Sequence, residues 1–133
     1  MELIDCYTRE QMIEDGQLHD ISKLAKEMGF KCPIAVTSAA WSLIKNIPEK
    51  FKWQDLDGRT WDVLSVLFWK AKTSKESKKT VLLSVKLPHE VTSFGAEDGI
   101  ERKELKLYAE FKAVAGPGDN GELVITIMLP EED

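Results

Sequence analysis

Few side chains in this sequence combine the types and the spacing that catalysis or metal binding requires. The densest polar group spans seven positions and consists of Glu14, Asp15, His19 and Asp20. One imidazole beside carboxylates can hold a metal ion or transfer protons. Metal sites usually use more than one His or Cys, however, and the other histidine, His89, is distant in sequence. We therefore interpret this group as solvated residues around a helix end.

Cysteine chemistry is a second candidate, with Cys6 as nucleophile and His19 or His89 as its base. The only other cysteine is Cys32, and neither cysteine has companions at metal-ligand spacing. A lone cysteine in an apolar N-terminal segment is usually a small core residue. The sequence therefore favours a non-enzymatic protein, and we predict no catalytic residue, no metal site and no cofactor.

A glycine-rich segment, Gly116–Gly121, could contact an anion, because glycines let successive backbone N–H groups point at one ligand. The residues that would make this contact are Gly116, Gly118, Asn120 and Gly121. The segment lacks the Lys-Ser/Thr pair of a phosphate loop, and a predicted strand follows it instead of a helix. Asp119 would also repel a phosphate. A hairpin turn with positive φ is the simpler interpretation.

Aromatic residues offer a binding surface, since four tryptophans are many for 133 residues. We assign Trp41 and Trp61 to the core and predict that Trp53 and Trp69 are exposed, where tryptophan often anchors a partner. Five lysines lie between positions 70 and 79. The residues predicted to contact a partner are Trp53, Trp69, Lys70, Lys72 and Lys75. Contact with a nucleic-acid backbone and a merely solvated loop are the alternatives for the lysines.

Charges near the start of the longest predicted helix suggest a structural role. Asp57 and Asp62 suit the positive end of the helix dipole, and Arg59 can pair with either carboxylate. The functional alternative is a polar rim on a cleft beside Trp61.

Overall charge and hydropathy exclude several classes of protein. The net charge of −5 is too small for a DNA mimic, and it opposes general nucleic-acid binding. The N-terminus lacks the pattern of a signal peptide. No apolar run approaches the roughly 20 residues of a membrane helix. We therefore expect a cytoplasmic protein with reduced thiols and no membrane partner.

Hydrophobic periodicity predicts helices in the first half of the chain and strands in the second. A capping box at Thr8–Gln11 starts the first helix, and Ile34–Val36 is a short buried strand. The main helix, about 60–72, carries an apolar stripe of Trp61, Leu64, Phe68 and Ala71. Three alternating strands follow, the first ending at Pro88 before a loop over 89–99.

The predicted fold is therefore α+β, with an antiparallel sheet of about three to four strands (C-terminal half) packed against three to four helices (N-terminal half), in a single domain over residues 1–133. We expect the apolar face of the sheet to cover the tryptophan-bearing helix and to leave no interior room for a reaction centre. The residues expected on that face are Leu107, Phe111, Ile125 and Ile127.

Several segments resemble a family of small uncharacterised bacterial proteins that is classified only as a domain of unknown function. The similar segments are residues 7–11, 13–16, 33–37 with Trp41, 58–64, and above all 116–133. Members of this family occur on plasmids, integrative elements and phages. The resemblance implies such a setting but assigns no activity and no site residues.

Three functions follow from these observations. The first is a non-enzymatic accessory protein of a mobile element that binds another protein, for example to inhibit a host defence complex. The second is a small nucleic-acid-binding module that uses residues 70–79, and the third is a small enzyme with an unrecognised site. A homodimer is a further expectation, because a three-stranded sheet has edges that must be covered or blunted.

Overall fold

The computed structural model describes residues 8–73, 79–95 and 97–132. Along the chain, the elements are α1 (Arg9–Glu14), β1 (Leu18–Asp20), α2 (Ser22–Met28), β2 (Ile34–Thr37), α3 (Ser38–Lys45), a 3₁₀ turn (Glu49–Phe51), α4 (Leu56–Thr73), β3 (Thr80–Phe94), β4 (Glu101–Pro117) and β5 (Leu123–Met128). This arrangement confirms the predicted α+β class. None of the helices in these ranges has the length and apolarity needed to cross a bilayer.

The strands form one sheet in the order β1-β2-β5-β4-β3. The last three strands form the predicted antiparallel meander. The sheet is mixed, because β2 pairs parallel to β5, with Ile34 opposite Ile125 and Val36 opposite Ile127. The additional strand β1 has only three residues, too few for an alternating pattern to predict it. Its residues His19 and Asp20 therefore lie on a strand that pairs with β2.

The hydrophobic core lies between one face of this sheet and the helices α2, α3 and α4. Its fully buried members include Ile34, Ile44, Leu64, Leu83, Phe111 and Ile127. Helix α4 turns its 60-63-64-67 side to the core, so the prediction that Trp61 is a core residue is wrong. The Trp61 side chain is 39% exposed, because one residue after buried Thr60 points about 100° further around the helix.

Arg59 lies in the core, with only 1% of its surface exposed. The sequence did not indicate this burial. Its Nε atom donates to the Ile44 carbonyl at 2.7 Å, and its Nη1 atom donates to the Pro88 carbonyl at 2.8 Å. Further acceptors are Oε1 of Gln54 and the carbonyls of Leu43 and Asn46. The side chain thus joins the end of α3, the segment before α4, and β3. Burial lowers the pKa of Arg59.

The sequence predicted that strand β3 ends at Pro88, but the strand continues to Phe94. The pairing with β4 shifts register between Lys86 and His89, so Pro88 lies at a bulge. Because β3 is the outermost strand of the sheet, a missing N–H is tolerated there. The buried ring of His89 is held by its Nδ1 atom, which lies 2.8 Å from the Leu87 carbonyl and therefore donates to it.

Candidate interaction surface

The feature that distinguishes this fold is a β-ribbon that continues past the rest of the sheet. Strand β5 pairs with β4 only along 112–117, whereas β3 pairs with β4 from 80 to 94. Residues 101–111 of β4 therefore have β3 on one side and no described strand on the other. We call residues 89–94 and 101–108, with the turn that connects them, the arm.

The tip of the arm is held by a compact set of polar contacts. Gly99 has a φ of +65°, a conformation that favours glycine, and its N–H donates to the Gly95 carbonyl at 2.9 Å. The Asp98 carboxylate accepts from the Ile100 N–H at 2.9 Å and from Nη2 of Arg102 at 2.8 Å. The hydrogen bond from Arg102, followed by that from Ile100, lowers the pKa of Asp98. The turn is therefore built to keep the two strands paired to their ends.

Large apolar side chains on the arm are exposed. Each residue from 101 to 108 of β4 is exposed. The exposed large apolar residues of the arm, with their exposed fractions, are Phe94 (68%), Ile100 (55%), Leu105 (39%), Leu107 (45%) and Tyr108 (60%). Leu105 and Leu107 share one face of β4 and Tyr108 lies on the other, so the ribbon exposes apolar groups on both faces, and exposed apolar patches mark interaction surfaces.

This exposure corrects the prediction that Leu107 covers the core. Phe111 and Ile127 are fully buried, as predicted, and Ile125 is half-buried, but Leu107 remains exposed. Leu107 points to the same side of β4 as Phe111, since residues four apart share a face. Asn46, at the end of α3, hydrogen-bonds the backbone of Glu90 at the base of the arm, but β4 is exposed from 101 to 108, so its alternation continues beyond the core.

The two long edges of the ribbon differ in how well they are protected. On the β3 edge, Pro88 and the bulge interrupt the ladder, and the Nζ atom of Lys70 donates to the Leu82 carbonyl at 2.7 Å. Proline, bulges and lysine are the usual means of blunting an edge strand. The β4 edge over 101–109 has neither a proline nor a bulge; it carries Lys103 and Lys106, but Glu101 and Glu104 lie on the same strand, so that a second strand can pair these charges. It is thus the better template for another strand.

The sequence-predicted partner residues lie on and before α4 and are not part of the arm. Trp53 and Trp69 are 76% and 69% exposed, which confirms their predicted exposure. Trp53 precedes α4 and Trp69 lies near its end, so about 20 Å of helix separates them. Trp69, Lys70 and Lys72 share one end of α4, with the Nζ atom of Lys72 4.7 Å from the Phe68 ring centroid. Lys75 lies outside the described residues.

The glycine-rich loop Gly116–Gly121 uses its donors within the chain. The N–H of Asn120 donates to the Glu122 carboxylate at 2.9 Å, and the N–H groups of Gly118 and Gly121 bind carbonyl oxygens of the same loop. The Asp119 carboxylate accepts from the N–H groups of Arg9 and Glu10, at 2.8 and 3.1 Å. Carboxylates of the chain thus occupy the position that an external anion would take.

A cleft of about 590 Å³ lies beside this loop, on the face of the sheet opposite α4, and Arg9, Met12, Thr37, Gly118 and Glu132 are among its lining residues. Its charged groups already have partners. The Arg9 guanidinium donates to Oγ1 of Thr126 and to the Ile125 carbonyl, and burial lowers the pKa of Arg9. Oγ1 of Thr37 donates to the Glu132 carboxylate at 2.7 Å. The charged groups that line the cleft are therefore already engaged in contacts that stabilise the fold.

The His19 region shows a ring stack. The His19 and Trp41 rings lie 3.8 Å apart between centroids, with 15° between their planes. Burial lowers the pKa of His19, Asp20 opposes this shift, and Lys45 adds to it. Within the described ranges, no three His, Cys, Asp or Glu side chains are grouped so that they could hold a metal ion. Burial raises the pKa of the Cys32 thiol, and Cys6 lies outside those ranges.

Comparison with known protein families gives a match over the whole chain. The model of a protein family described as "Family of unknown function (DUF6573)" matches residues 1–133. No curated protein and no solved structure matches the chain. The comparisons therefore leave the function to be inferred from the surface described above.

Proposed function

Because this chain belongs to a family of unknown function, its role has to be inferred from its surface, and we propose that it acts by binding another protein through the arm. The observation that carries this proposal is the set of five exposed large apolar side chains on the ribbon. The polar contacts of the tip hold this surface in place before binding, which reduces the entropy lost on association.

The charges of the arm support a protein partner over a nucleic acid. The arm, residues 89–108, contains five acidic and three basic residues, so its net charge of −2 does not attract a phosphate backbone. Mixed charges around an apolar centre are instead typical of the rim of a protein interface.

The resemblance to proteins of plasmids, integrative elements and phages supports a more specific form of this proposal. An accessory protein of a mobile element can inhibit a host defence complex by covering one of its surfaces. Such an inhibitor needs an exposed apolar surface and no reaction centre. The arm supplies that surface.

The proposal is tested by capturing partners with variants of the tip. In the Phe94→Ser/Ile100→Ser variant, two exposed anchors are lost, and we expect recovery of a stoichiometric partner from a bacterial lysate to fall at least about tenfold. The measurement is quantitative mass spectrometry of proteins that bind the tagged full-length chain. Thermal unfolding of the variant should match the wild type, since both residues are exposed.

The matched control is Trp53→Ser/Trp69→Ser, which removes two similarly exposed aromatic side chains that do not belong to the arm. This control should retain the partner. Loss of the partner from the control, with retention by the tip variant, would move the binding surface to α4. Failure to recover any arm-dependent partner would contradict the proposal.

A further inference from the structure

We propose that the free edge of β4 pairs antiparallel with the same edge of a second copy of this chain, which forms a two-fold symmetric dimer. This inference rests on the proposed function, because it uses the arm as a binding surface. It goes further in naming one occupant of that surface and the register in which it binds.

The first argument is the unpaired backbone of β4. Over 101–111, the side of the strand that faces away from β3 has no described strand to accept or donate hydrogen bonds. An extended edge of this length is a template for another strand unless it is blunted. The β3 edge carries Pro88, a bulge and the Lys70 contact. We therefore expect a second strand to pair with β4 and not with β3.

The second argument is the charge pattern, which is self-complementary about Leu105. In an antiparallel pair centred on Leu105, Glu104 of each copy lies opposite Lys106 of the other, and the two Leu105 side chains meet at the axis. Opposite charges on directly facing positions stabilise a strand pair. Centring the pair on position 104 would place Glu104 against Glu104, and centring it on position 106 would place Lys106 against Lys106.

The flanking positions fit the same register. Arg102 of one copy lies opposite Tyr108 of the other, and Lys103 lies opposite Leu107. A guanidinium over a tyrosine ring gains a cation–π contact, and the aliphatic stem of a lysine can cover a leucine. The pairing therefore gives the exposed Leu105, Leu107 and Tyr108 side chains partners of suitable chemistry.

The sheet of each copy has room for this neighbour. The Leu105-centred pair uses residues 101–109 of both copies, and β5 occupies β4 only along 112–117. After β5, the chain leaves the sheet in a turn at Pro130 and Glu131. The second copy would thus lie on the same side of β4 as β5, beyond the point where β5 ends. Phe94 lies on β3, away from the dimer edge, and stays available to a different protein.

The decisive experiment is a charge swap measured by sedimentation velocity on the full chain. The wild type should form dimers at up to about 100 μM, where a micromolar interface is populated. Glu104→Lys and Lys106→Glu should each raise the dimer dissociation constant at least about tenfold, because each places like charges opposite one another twice. An equimolar mixture of the two variants should recover the dimer, since both facing pairs are then attractive. The double variant Glu104→Lys/Lys106→Glu should also recover it.

A cysteine placed on the axis gives a second, geometric readout. In a chain with Cys6→Ser and Cys32→Ser, Leu105→Cys should form a disulfide-linked dimer, because facing Cβ atoms lie about 4.5–5.5 Å apart. Leu107→Cys is the matched control: its symmetry mate is four residues further along the pair, roughly 13 Å away. It should not crosslink.

The outcomes separate this inference from the proposed function. A wild type that stays monomeric, or single charge variants that dimerise as well as the wild type, would overturn the dimer. If such a protein still captured an arm-dependent partner, the proposed function would stand. A dimer that behaves as described would support this inference. If the Phe94→Ser/Ile100→Ser variant then captured partners as well as the wild type, this result would contradict a heterologous partner at the tip.

Discussion

Replacing Arg59 with methionine is expected to lower the free energy of unfolding by about 3 kcal/mol or more. Methionine fills much of the same space but donates no hydrogen bond. The buried carbonyls of Ile44 and Pro88 would lose their short contacts of 2.7 and 2.8 Å, and each unsatisfied buried acceptor costs about 1–3 kcal/mol. Urea unfolding followed by circular dichroism measures the difference.

Two further variants sharpen this test. Arg59→Lys keeps the charge but loses the planar fork, so we expect a smaller loss of stability than with methionine. Arg102→Met removes an exposed arginine that pairs with Asp98, and should cost no more than about 1 kcal/mol. An Arg59→Met protein that unfolds within about 1 kcal/mol of the wild type would show that the buried guanidinium does not hold α3, α4 and β3 together.

Truncating Phe111 and Leu107 to alanine should have very different effects, although both residues lie on one face of β4. Phe111 is fully buried, and Phe111→Ala is expected to lower the free energy of unfolding by about 3–5 kcal/mol, through lost burial and a cavity. Leu107 is 45% exposed, and Leu107→Ala should cost less than about 1 kcal/mol in the dilute protein.

The comparison locates the end of the core along β4. Similar large losses for both residues in dilute samples would mean that the arm is part of the folded core, and they would contradict its role as a binding surface. A small loss for Leu107 that grows with protein concentration would instead agree with a dimer, because association adds its free energy to that of folding.

The sequence predicts the local elements of this fold better than their extent. The alternation of β3, β4 and β5 depends on side-chain period alone, and the meander follows from it. The capping box is also local: Oγ1 of Thr8 accepts from the Gln11 N–H at 3.1 Å. By contrast, the facing residues of β1 and β2 are 15 to 19 positions apart in the chain, and nothing within three residues can indicate this pairing.

Two misplaced residues illustrate where local patterns lose their information. Pro88 normally ends a strand, but here a bulge accommodates it and its carbonyl accepts from Arg59. Arg59 is charged and lies near a helix start, a pattern that predicts pairing with Asp57 or Asp62. Its burial depends on carbonyls from α3 and β3, which the fold brings together.

The candidate interaction surface was missed for a related reason. The sequence indicated exposed tryptophans, and Trp53 and Trp69 are indeed exposed. It could not indicate that the apolar face of β4 extends past the buried core, because the length of the sheet relative to the helices is a property of the whole fold. The sequence does show an alternation of charged and apolar residues over 104–107, but this pattern allows either a covered strand or an exposed one.

The most direct test of an open, associating β4 edge is amide hydrogen exchange over residues 101–109 at two protein concentrations. In the dilute protein, we predict fast exchange at the amides of this segment that face away from β3, and slow exchange throughout 112–117, where β5 pairs. Raising the concentration should slow the fast amides as the second copy binds. Amides over 101–109 that are as slow as those of 112–117 in the most dilute sample, or that keep their fast rates at every concentration, would contradict this account.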